Sequence, residues 1–374
     1  MFELTEEHKI LFSTIEKFAK EKIAPVSNKI DEEDEIPREI YMELRDMGLL
    51  GITIPQKYGG SEFDMKTYAG ILEIVGKYSG GLALSLEAHN SLGLSHIFEF
   101  GNEVQRERFV QKIINSANPV AWGLTEPQAG SDAKNLLTTA KKEGKHYILN
   151  GSKIFITHGV LSDYIVIIAK TDNGITSFIV SGDSDGLTKS KIKGKLGMRG
   201  TDTAELNLDN VPVPAENMLG KEGDGYRQAM KILDGGRIAI AAISVGIAQA
   251  AVDSSLKYMK ERSAFNKTLD NFEALQFSIS ELQTDIEAGR LLVYKAATLK
   301  DSGDSYRKTA AMAKYFTSKT AMKAADFAIQ VHGGYGYFSE FGINRLLRDA
   351  KLLEIGEGTS EIQKLIIFRE LTKD

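Results

Sequence analysis

The spacing of apolar residues changes twice along the chain and divides it into three segments. In the first, up to about residue 118, apolar residues recur with helical spacing, as Ile10, Leu11, Ile15 and Phe18 do. Thr5 stands before this run, where its side chain can cap the helix. Further helices are predicted over residues 37–48, 66–78, 84–100 and 103–115. The first segment is therefore predicted to be helical.

In the second segment, from Pro119 to about Pro214, apolar and polar residues alternate, and β-branched residues are frequent. The predicted strands are 145–149, 153–157, 164–170, 176–180 and 203–208. Asn150-Gly151 predicts a hairpin between the first two strands, and the turn at 172–174 predicts another between the next two. We expect a small antiparallel sheet domain that closes as a barrel.

Helical spacing returns in the third segment, from about residue 225, in longer runs than before. One apolar stripe lies within 275–293 and another within 305–331. Long helices with short connections favour an antiparallel bundle. The predicted domains are an N-terminal helical domain at 1–118, a central β domain at 119–222 and a C-terminal helical domain at 223–374.

Composition excludes several classes of chemistry. The 374 residues include no cysteine, which excludes disulfides, thiolate nucleophiles and cysteine-ligated zinc or iron–sulfur clusters. The formal net charge of −5 gives no reason to expect nucleic-acid binding. The uncharged stretch 238–252 is too short to span a bilayer, so a buried helix is predicted there. The N-terminus lacks the features of a signal peptide, and we expect a cytoplasmic protein.

Common motifs for metals and nucleotides are also missing from the sequence. The six histidines are scattered, and none belongs to an HExxH pattern. His89 and His96 could share a helix face, but we expect both to be structural. No GxGxxG follows a predicted strand, and there is no P-loop and no GxSxG elbow.

Two segments in the middle of the chain combine glycine with polar side chains. WGLTEPQAGSD at 122–132 is either a simple helix-to-strand connection or a loop that presents backbone amides to a ligand. DGGR at 234–237 places two glycines in a helical pattern, where each costs about 1 kcal/mol relative to alanine. A break between two helices would explain these glycines, and so would the close approach of a ligand. Sequence alone favours the break.

The tail of the chain carries a candidate base. QVHGGYGY at 330–337 ends a predicted helix and leaves room for a phosphate near the backbone. In IGEGTSEIQ at 355–363, Glu357 stands between two glycines, and Thr359 can cap the last helix. A carboxylate in this setting is a candidate general base, although most glutamates in loops are inert.

Together these segments resemble the acyl-CoA dehydrogenase family. GLTEPQAGSD at 123–132 is similar to the family's first signature, and QVHGGYGYFSEFGINRLLRD at 330–349 to its second. GSKIFIT at 151–157, LDGGRIAIAA at 233–242 and ERSAFNK at 261–267 lie between them in the family's order. The resemblance implies an α+β multidomain fold that is mostly α. It would have an N-terminal helical domain, a central antiparallel β-barrel and a C-terminal four-helix bundle.

The resemblance also implies FAD as cofactor, between the β domain and the C-terminal bundle. The residues implied to hold FAD are Trp122, Leu124, Thr125, Ser131, Phe155, Thr157, Arg262, Gln330, Gly333, Gly334, Thr359 and Glu361. The residues implied to bind the acyl-CoA substrate are Ser131, Asp234, Arg237 and Gly358. In this family part of the cofactor site is completed across a subunit contact, which implies a homotetramer, a dimer of dimers.

By the same resemblance, Glu357 is the catalytic base. It would remove the α-proton of an acyl-CoA while flavin N5 takes the β-hydride, giving the 2,3-enoyl-CoA. An electron-transfer flavoprotein would then accept the electrons. The alternatives are an acyl-CoA oxidase that uses O2, a monooxygenase on the same fold and a non-enzymatic scaffold. The chain length favours the dehydrogenase, and Gly356, where many members carry an aromatic residue, favours short or branched acyl groups.

Overall fold

The computed structural model describes residues 5–373. The outermost residues of the domains predicted at 1–118 and 223–374 therefore lie outside the described residues. The N-terminal segment is helical, as predicted. Its helices are α1 (Glu6–Phe18), α2 (Ser27–Glu33), α3 (Arg38–Asp46), α4 (Met65–Tyr78), α5 (Gly80–Glu87), α6 (Ser95–Phe100), α7 (Glu103–Gln105) and α8 (Gln111–Ser116).

Local signals explain where several of these helices begin and continue. The Thr5 side chain accepts the backbone N–H of His8, which confirms the predicted cap of α1. The Asp64 side chain caps α4 in the same way through the N–H of Thr67. The π-helical segment Ala88–Leu94 connects α5 to α6, so the helix predicted over 84–100 is continuous but not regular.

The central segment forms one eight-stranded sheet. Its strands are β1 (Ala121–Gly123), β2 (Thr139–Glu143), β3 (His146–Thr157), β4 (Tyr164–Thr171), β5 (Gly174–Ser181), β6 (Leu187–Lys191), β7 (Thr203–Pro214) and β8 (Met218–Leu219). The order across the sheet is β6-β7-β3-β2-β4-β5-β8, and β1 pairs with β4. Most pairs are antiparallel, but β1 and β2 each run parallel to β4, so the sheet is mixed rather than purely antiparallel.

One predicted hairpin is confirmed and the other is wrong. Strands β4 and β5 pair through Thr171 and Gly174, as predicted. The chain does not turn at Asn150-Gly151, because β3 runs straight through these residues. Its pairing with β7 shifts register between Leu149 and Gly151, which is the mark of a bulge. Pairing of β3 with β7 and β2 over its length outweighs the local turn preference.

The third segment consists of long helices, as predicted. These are α9 (Gly225–Glu261), α10 (Glu273–Asp301), α11 (Arg307–His332), α12 (Gly334–Tyr337), α13 (Ile343–Leu353) and α14 (Ser360–Leu371). The short strands β9 (Ser263–Ala264) and β10 (Lys267–Thr268) pair between α9 and α10. Among the described residues, α9 alone is long and apolar enough to cross a membrane, but 83% of its apolar window is buried inside the protein. It is therefore a core helix, as predicted for 238–252.

Helix α9 also packs against α4 and so joins the C-terminal helical segment to the N-terminal one. A Cβ at Gly246 of α9 would lie 2.1 Å from the carbonyl oxygen of Glu73 on α4. A Cβ at Gly76 of α4 would lie 3.1 Å from the carbonyl oxygen of Ile243 on α9. These two glycines let the backbones of α4 and α9 approach closely. One hydrophobic core therefore includes residues of both segments, among them Val75 and Ile247.

Candidate active site

The loop between α13 and α14 presents Glu357. Its φ is +55° and that of Gly358 is +98°, so two successive residues have left-handed backbone. Glycine adopts this conformation freely, whereas a glutamate there is strained and needs support from its surroundings. Thr359 then begins α14, and its hydroxyl accepts the N–H of Ile362, which confirms the predicted cap. The loop is thus a defined turn that ends on a capped helix.

The Glu357 carboxylate points at α9. Both of its oxygens are buried, and neither has a hydrogen-bond partner among residues 5–373. A Cβ at Gly236 would stand 2.1 Å from its Oε2 atom. Burial raises the pKa of Glu357, and the neighbouring side chains of Glu87, Arg237 and Lys314 oppose that rise. The result is a dry carboxylate whose oxygens are free to accept a proton.

This contact explains the two glycines of DGGR. Helix α9 continues through Gly235 and Gly236, so the predicted break between two helices is wrong. Helical hydrogen bonds along a buried helix hold these residues in place despite their low propensity. Gly236 makes room for Glu357, and Gly235 lies against the Lys300 side chain.

Asp234 and Arg237 form a buried ion pair on the same turn of α9. Arg307 of α11 lies 3.5 Å from the same Asp234 carboxylate. The Nε atoms of Arg237 and Arg307 have no hydrogen-bond partner in the described part of the chain. Arg307 also lies 3.4 Å from Glu370, so the cluster next to Glu357 has two arginines and two carboxylates. The two Nε–H groups without partners could donate to a polar ligand.

Several polar groups around Glu357 are absent from the sequence-based prediction. Glu87, at the end of α5, is fully buried, and burial together with Glu357 raises its pKa well above the ordinary value. The hydroxyl oxygens of Tyr68 and Ser91 are hydrogen bonded at 3.0 Å. Ser91 partly offsets the rise in the pKa of Glu87, and burial together with the charge of Glu87 raises the pKa of Tyr68. Lys314 of α11 is also fully buried. For Glu87 the available signal was a lone charged residue at the end of an apolar helix. Lys314 is one of several lysines in α11, so the sequence carried no signal for it.

The segment 122–132 is held against β3 by a second buried ion pair. Lys153 Nζ lies 2.7 Å from Glu126 Oε1 and also donates to the carbonyl of Leu124. The side chains of both charged residues are almost completely buried. Glu126 in turn accepts the backbone N–H groups of Leu137 and Thr138. This segment is thus more than a simple connection, because its path is fixed by charged groups inside the protein.

Five of the residues implied to hold FAD lie on this part of the β domain. Leu124 is buried, and the Thr125 carbonyl accepts the N–H of Ile154. Trp122 is half-buried and donates from its indole nitrogen to His96. Phe155 is 65% exposed with a φ of +60°, and Thr157 ends β3.

Ser131, which is implied for both FAD and substrate, is exposed in the same segment. The residue before it is Gly130. A Cβ added at Gly130 would meet no heavy atom of the described residues within 4 Å. This end of the segment therefore borders open space.

A separate cavity of about 360 Å³ lies at the end of α11. Arg262, Gly333 and Gly334 line it, together with the aromatic residues Tyr258 and Tyr335. At Gly333 and Gly334 a Cβ would meet no described atom within 4 Å, so both glycines border free space. A cation beside bare backbone is a suitable setting for a phosphate group.

Three other predicted residues lie outside this cavity's lining. Gln330 is exposed, and its carbonyl accepts the N–H of Gly333. Glu361 is exposed in the first turn of α14, which Thr359 caps. The structure therefore groups the predicted residues into three places: the β-domain segment, the α11 cavity and the Glu357 loop. The described residues lining the cavity do not include any from the β domain.

His89 and His96 are structural, as predicted. His89 contacts the carbonyl of Leu50 and the N–H of Val120, and His96 contacts Gln228 and Trp122. Burial lowers the pKa of each to about 4, so both are neutral. Within residues 5–373 no group of histidine and acidic side chains could hold a metal ion.

Comparison with known proteins gives one consistent result. The acyl-CoA dehydrogenase N-terminal, middle and C-terminal domains match residues 5–117, 121–211 and 223–372. The chain therefore belongs to the acyl-CoA dehydrogenase family, which is a family of oxidoreductases.

The individual relatives match over nearly their whole length. The probable acyl-CoA dehydrogenase YngJ of Bacillus subtilis is 44% identical over 100% of both chains. The caffeyl-CoA reductase-Etf complex subunit CarC of Acetobacterium woodii is 39% identical over 99% of both. The solved structure of butyryl-CoA dehydrogenase from Megasphaera elsdenii superposes with a TM-score of 0.97, at 40% identity and with 100% of both chains covered.

Proposed function

We propose that this protein is an FAD-dependent acyl-CoA dehydrogenase that converts an acyl-CoA to the 2,3-enoyl-CoA. The observation that carries the proposal is the Glu357 carboxylate, which is buried without a partner against Gly236 and beside Arg237. A base in this position needs burial away from water and a free lone pair, and Glu357 has both. Membership of the family supplies the reaction to which such a base belongs.

The residues present fit FAD. The α11 cavity offers Arg262 to a diphosphate and has free space next to Gly333 and Gly334, with Gln330 beside it. In the β domain, Trp122, Leu124, Thr125, Ser131, Phe155 and Thr157 would hold the flavin end, and Thr359 and Glu361 would add contacts from the tail. When bound, FAD supplies the acceptor for the substrate's β-hydride.

The chain's own residues would prepare the substrate for this oxidation. Asp234 and Arg237, with Ser131 and Gly358, would bind the CoA thioester beside α9. The Glu357 backbone N–H would donate to the thioester carbonyl and stabilise the negative charge that develops there. The Glu357 carboxylate would then take the α-proton. Its raised pKa brings it closer to neutral pH, where a general base works well.

The test is Glu357→Gln in the holoenzyme. We expect the flavin absorbance to be retained and turnover with a panel of straight, branched and dicarboxylic acyl-CoAs to fall by about a thousandfold or more, because general-base catalysis alone contributes ~10²–10⁴-fold. Ferricenium would serve as the electron acceptor. Glu281→Gln, an exposed change on α10, is the matched control. Full turnover by Glu357→Gln would refute the assignment of the base.

The electron acceptor and the direction of the reaction are separate parts of the proposal. We infer that an electron-transfer flavoprotein accepts the electrons, and the similarity to a subunit of a reductase–Etf complex supports this. That relative's name also favours reduction of an enoyl-CoA as a second candidate activity. An oxidase would be recognised by rapid reoxidation of the reduced enzyme in air without any acceptor protein. Equal rates of flavin reoxidation with and without air would exclude an oxidase.

We also propose the finer architecture that the sequence predicts. Domain boundaries at 1–118, 119–222 and 223–374, closure of the sheet into a barrel and a C-terminal four-helix bundle follow the family pattern. A homotetramer in the cytoplasm is proposed on the same basis. The α11 cavity, whose described lining lacks β-domain residues, supports completion of the FAD site by a second subunit.

A further inference from the structure

Lys314 is a buried lysine that the proposed reaction does not use. It lies in the middle of α11 with 0% of its surface exposed, among the buried residues Ala310, Ala311 and Ala313. Lysine is almost never fully buried unless its charge is paired, because removing an ammonium group from water is costly. Its Nζ atom donates to the carbonyl of Gly358 at 2.7 Å. The cation is therefore aimed at the residue next to the predicted base.

The same carbonyl has a second donor. Nε2 of Gln363, on α14, lies 2.8 Å from the Gly358 oxygen and 3.4 Å from the carbonyl oxygen of Glu357. Gln363 is also fully buried. Donors from two different helices thus converge on one peptide group. That group belongs to the strained left-handed turn at Glu357 and Gly358.

We propose that Lys314 and Gln363 clamp the Gly358 carbonyl and thereby hold the Glu357 carboxylate against Gly236, so that both are positioning residues for proton transfer. This inference rests on the proposed function, because it takes Glu357 as the base. Without the clamp, the turn can relax from its strained backbone conformation. The carboxylate would then leave the position that it reaches next to α9.

Charges around Lys314 act on the same group. Burial, with a smaller effect of Arg237, lowers the pKa of Lys314 to about 8, although Glu357, Glu354 and Glu361 act in the opposite direction. At neutral pH the lysine is therefore mostly charged and attracts the Glu357 carboxylate. As the pH rises through about 8, this attraction is lost.

The first test is Lys314→Met in the holoenzyme, which removes the charge and the donor at similar length. Misplacing a catalytic group by about 1 Å can cost ~10²-fold in rate, so we expect kcat to fall at least tenfold. The flavin absorbance should change by less than about twofold. KM should rise by a smaller factor than kcat falls, because the same turn also carries the proposed thioester contacts of Gly358 and the Glu357 N–H. Exchange of the substrate's α-hydrogen with D2O should fall in parallel with kcat. Lys323→Met, an exposed change on α11, is the matched control.

The second test is Gln363→Met, which is nearly isosteric and leaves the lysine in place. We expect a smaller loss of kcat and of α-hydrogen exchange, because one of the two donors remains. The profile of kcat/KM against pH reports the free enzyme. It should show an alkaline decline near pH 8 in the wild type and in Gln363→Met, and no such decline in Lys314→Met.

Two results would overturn the clamp. The first is that both variants keep the wild-type kcat and the wild-type rate of α-hydrogen exchange. The second is that the decline of kcat/KM near pH 8 persists unchanged in Lys314→Met. If Lys314→Met does not fold, Gln363→Met decides the question alone through its kcat and exchange. The proposed function fails separately, if the wild-type holoenzyme oxidises no acyl-CoA in the same assay.

Discussion

Glu87 shows how a single residue can matter to the site without any sequence motif. It is the one acidic residue in α5, and its side chain is fully buried beside Glu357. Two carboxyl groups in one dry pocket cannot both ionise at low cost, so one of them keeps its proton. The structure assigns that proton to Glu87, because burial and Glu357 both raise its pKa. A negative charge on the pair then lies on the predicted base.

The raised pKa of Glu87 has a consequence for stability. A carboxyl whose pKa is higher in the folded than in the unfolded protein favours folding most at low pH, and this contribution is lost as the pH rises. We predict that Glu87→Gln loses less stability than the wild type as the pH rises above 5, since glutamine carries no ionisation cost. Thermal unfolding of the substrate-free holoenzyme across this range measures the difference.

Glu107→Gln, an exposed change, is the control for Glu87 and should follow the wild-type curve at every pH. Parallel curves for Glu87→Gln and wild type would show that Glu87 is ionised in the folded protein. The proton would then have to be placed on Glu357.

At the scale of elements, the ion pair Glu126–Lys153 decides the path of the segment 122–132. Strand β3 supplies Lys153, and the segment supplies Glu126 and the Leu124 carbonyl. At Glu126 the charge and hydrogen bonds of its partners outweigh burial and lower the pKa to about 2. At Lys153 burial outweighs the attraction of Glu126 and lowers the pKa to about 8. The charged pair ties the predicted flavin residues Leu124 and Thr125 to the strand that carries Thr157.

We predict that Lys153→Met and Glu126→Gln each destabilise the protein by about 3–5 kcal/mol, because each leaves a buried charged group without its partner. The double variant should be less destabilised than the sum of the two single changes. Denaturant unfolding of the three variants measures this coupling, and retained flavin reports whether the segment keeps its path. Additive single effects would mean that the two charges do not depend on each other. Lys141→Met, an exposed change on β2, is the control.

Elements also show where local signals were sufficient. The caps of α1 and α14 and the β4–β5 turn form as predicted, because each depends on side chains close in sequence. The hairpin at Asn150-Gly151 and the break at Gly235-Gly236 do not form. In both cases, long-range pairing of a strand or burial of a helix outweighs a preference of about 1 kcal/mol.

At the scale of the whole molecule, apolar side chains remain exposed in the last third of the chain. Tyr337 is 78% exposed and Phe338 66%, beside the cavity that Arg262 lines. Further exposed residues of this kind are Phe265, Phe277, Phe341, Leu365, Phe368 and Leu371. The rings of Tyr337 and Phe338 pack edge to face, as do those of Tyr335 and Phe341, and contiguous exposed apolar patches mark contacts with other proteins. We take them as the surface of the proposed tetramer.

We predict that Tyr337→Lys shifts the protein from tetramers to smaller species, because a lysine charge opposes burial in an interface. Light scattering after size-exclusion chromatography measures the mass of the assembly. The flavin content should fall as well, if a second subunit completes the α11 cavity. Val104→Lys, which changes a similarly exposed residue on α7, should leave mass and flavin content unaltered. A tetramer with full flavin content in Tyr337→Lys would place the interface elsewhere.

The sequence alone determined the order of helical, sheet and helical segments, the caps and the family. Each of these depends on residues that are close in the chain or on short motifs in register. Tertiary structure decided what the motifs do together. Gly236 meets Glu357 from more than a hundred residues away, and Lys314 and Glu87 reach the same pocket from two other helices. Such contacts arise from packing α5, α9 and α11 around one loop, and a single sequence does not encode distances between segments in any local pattern.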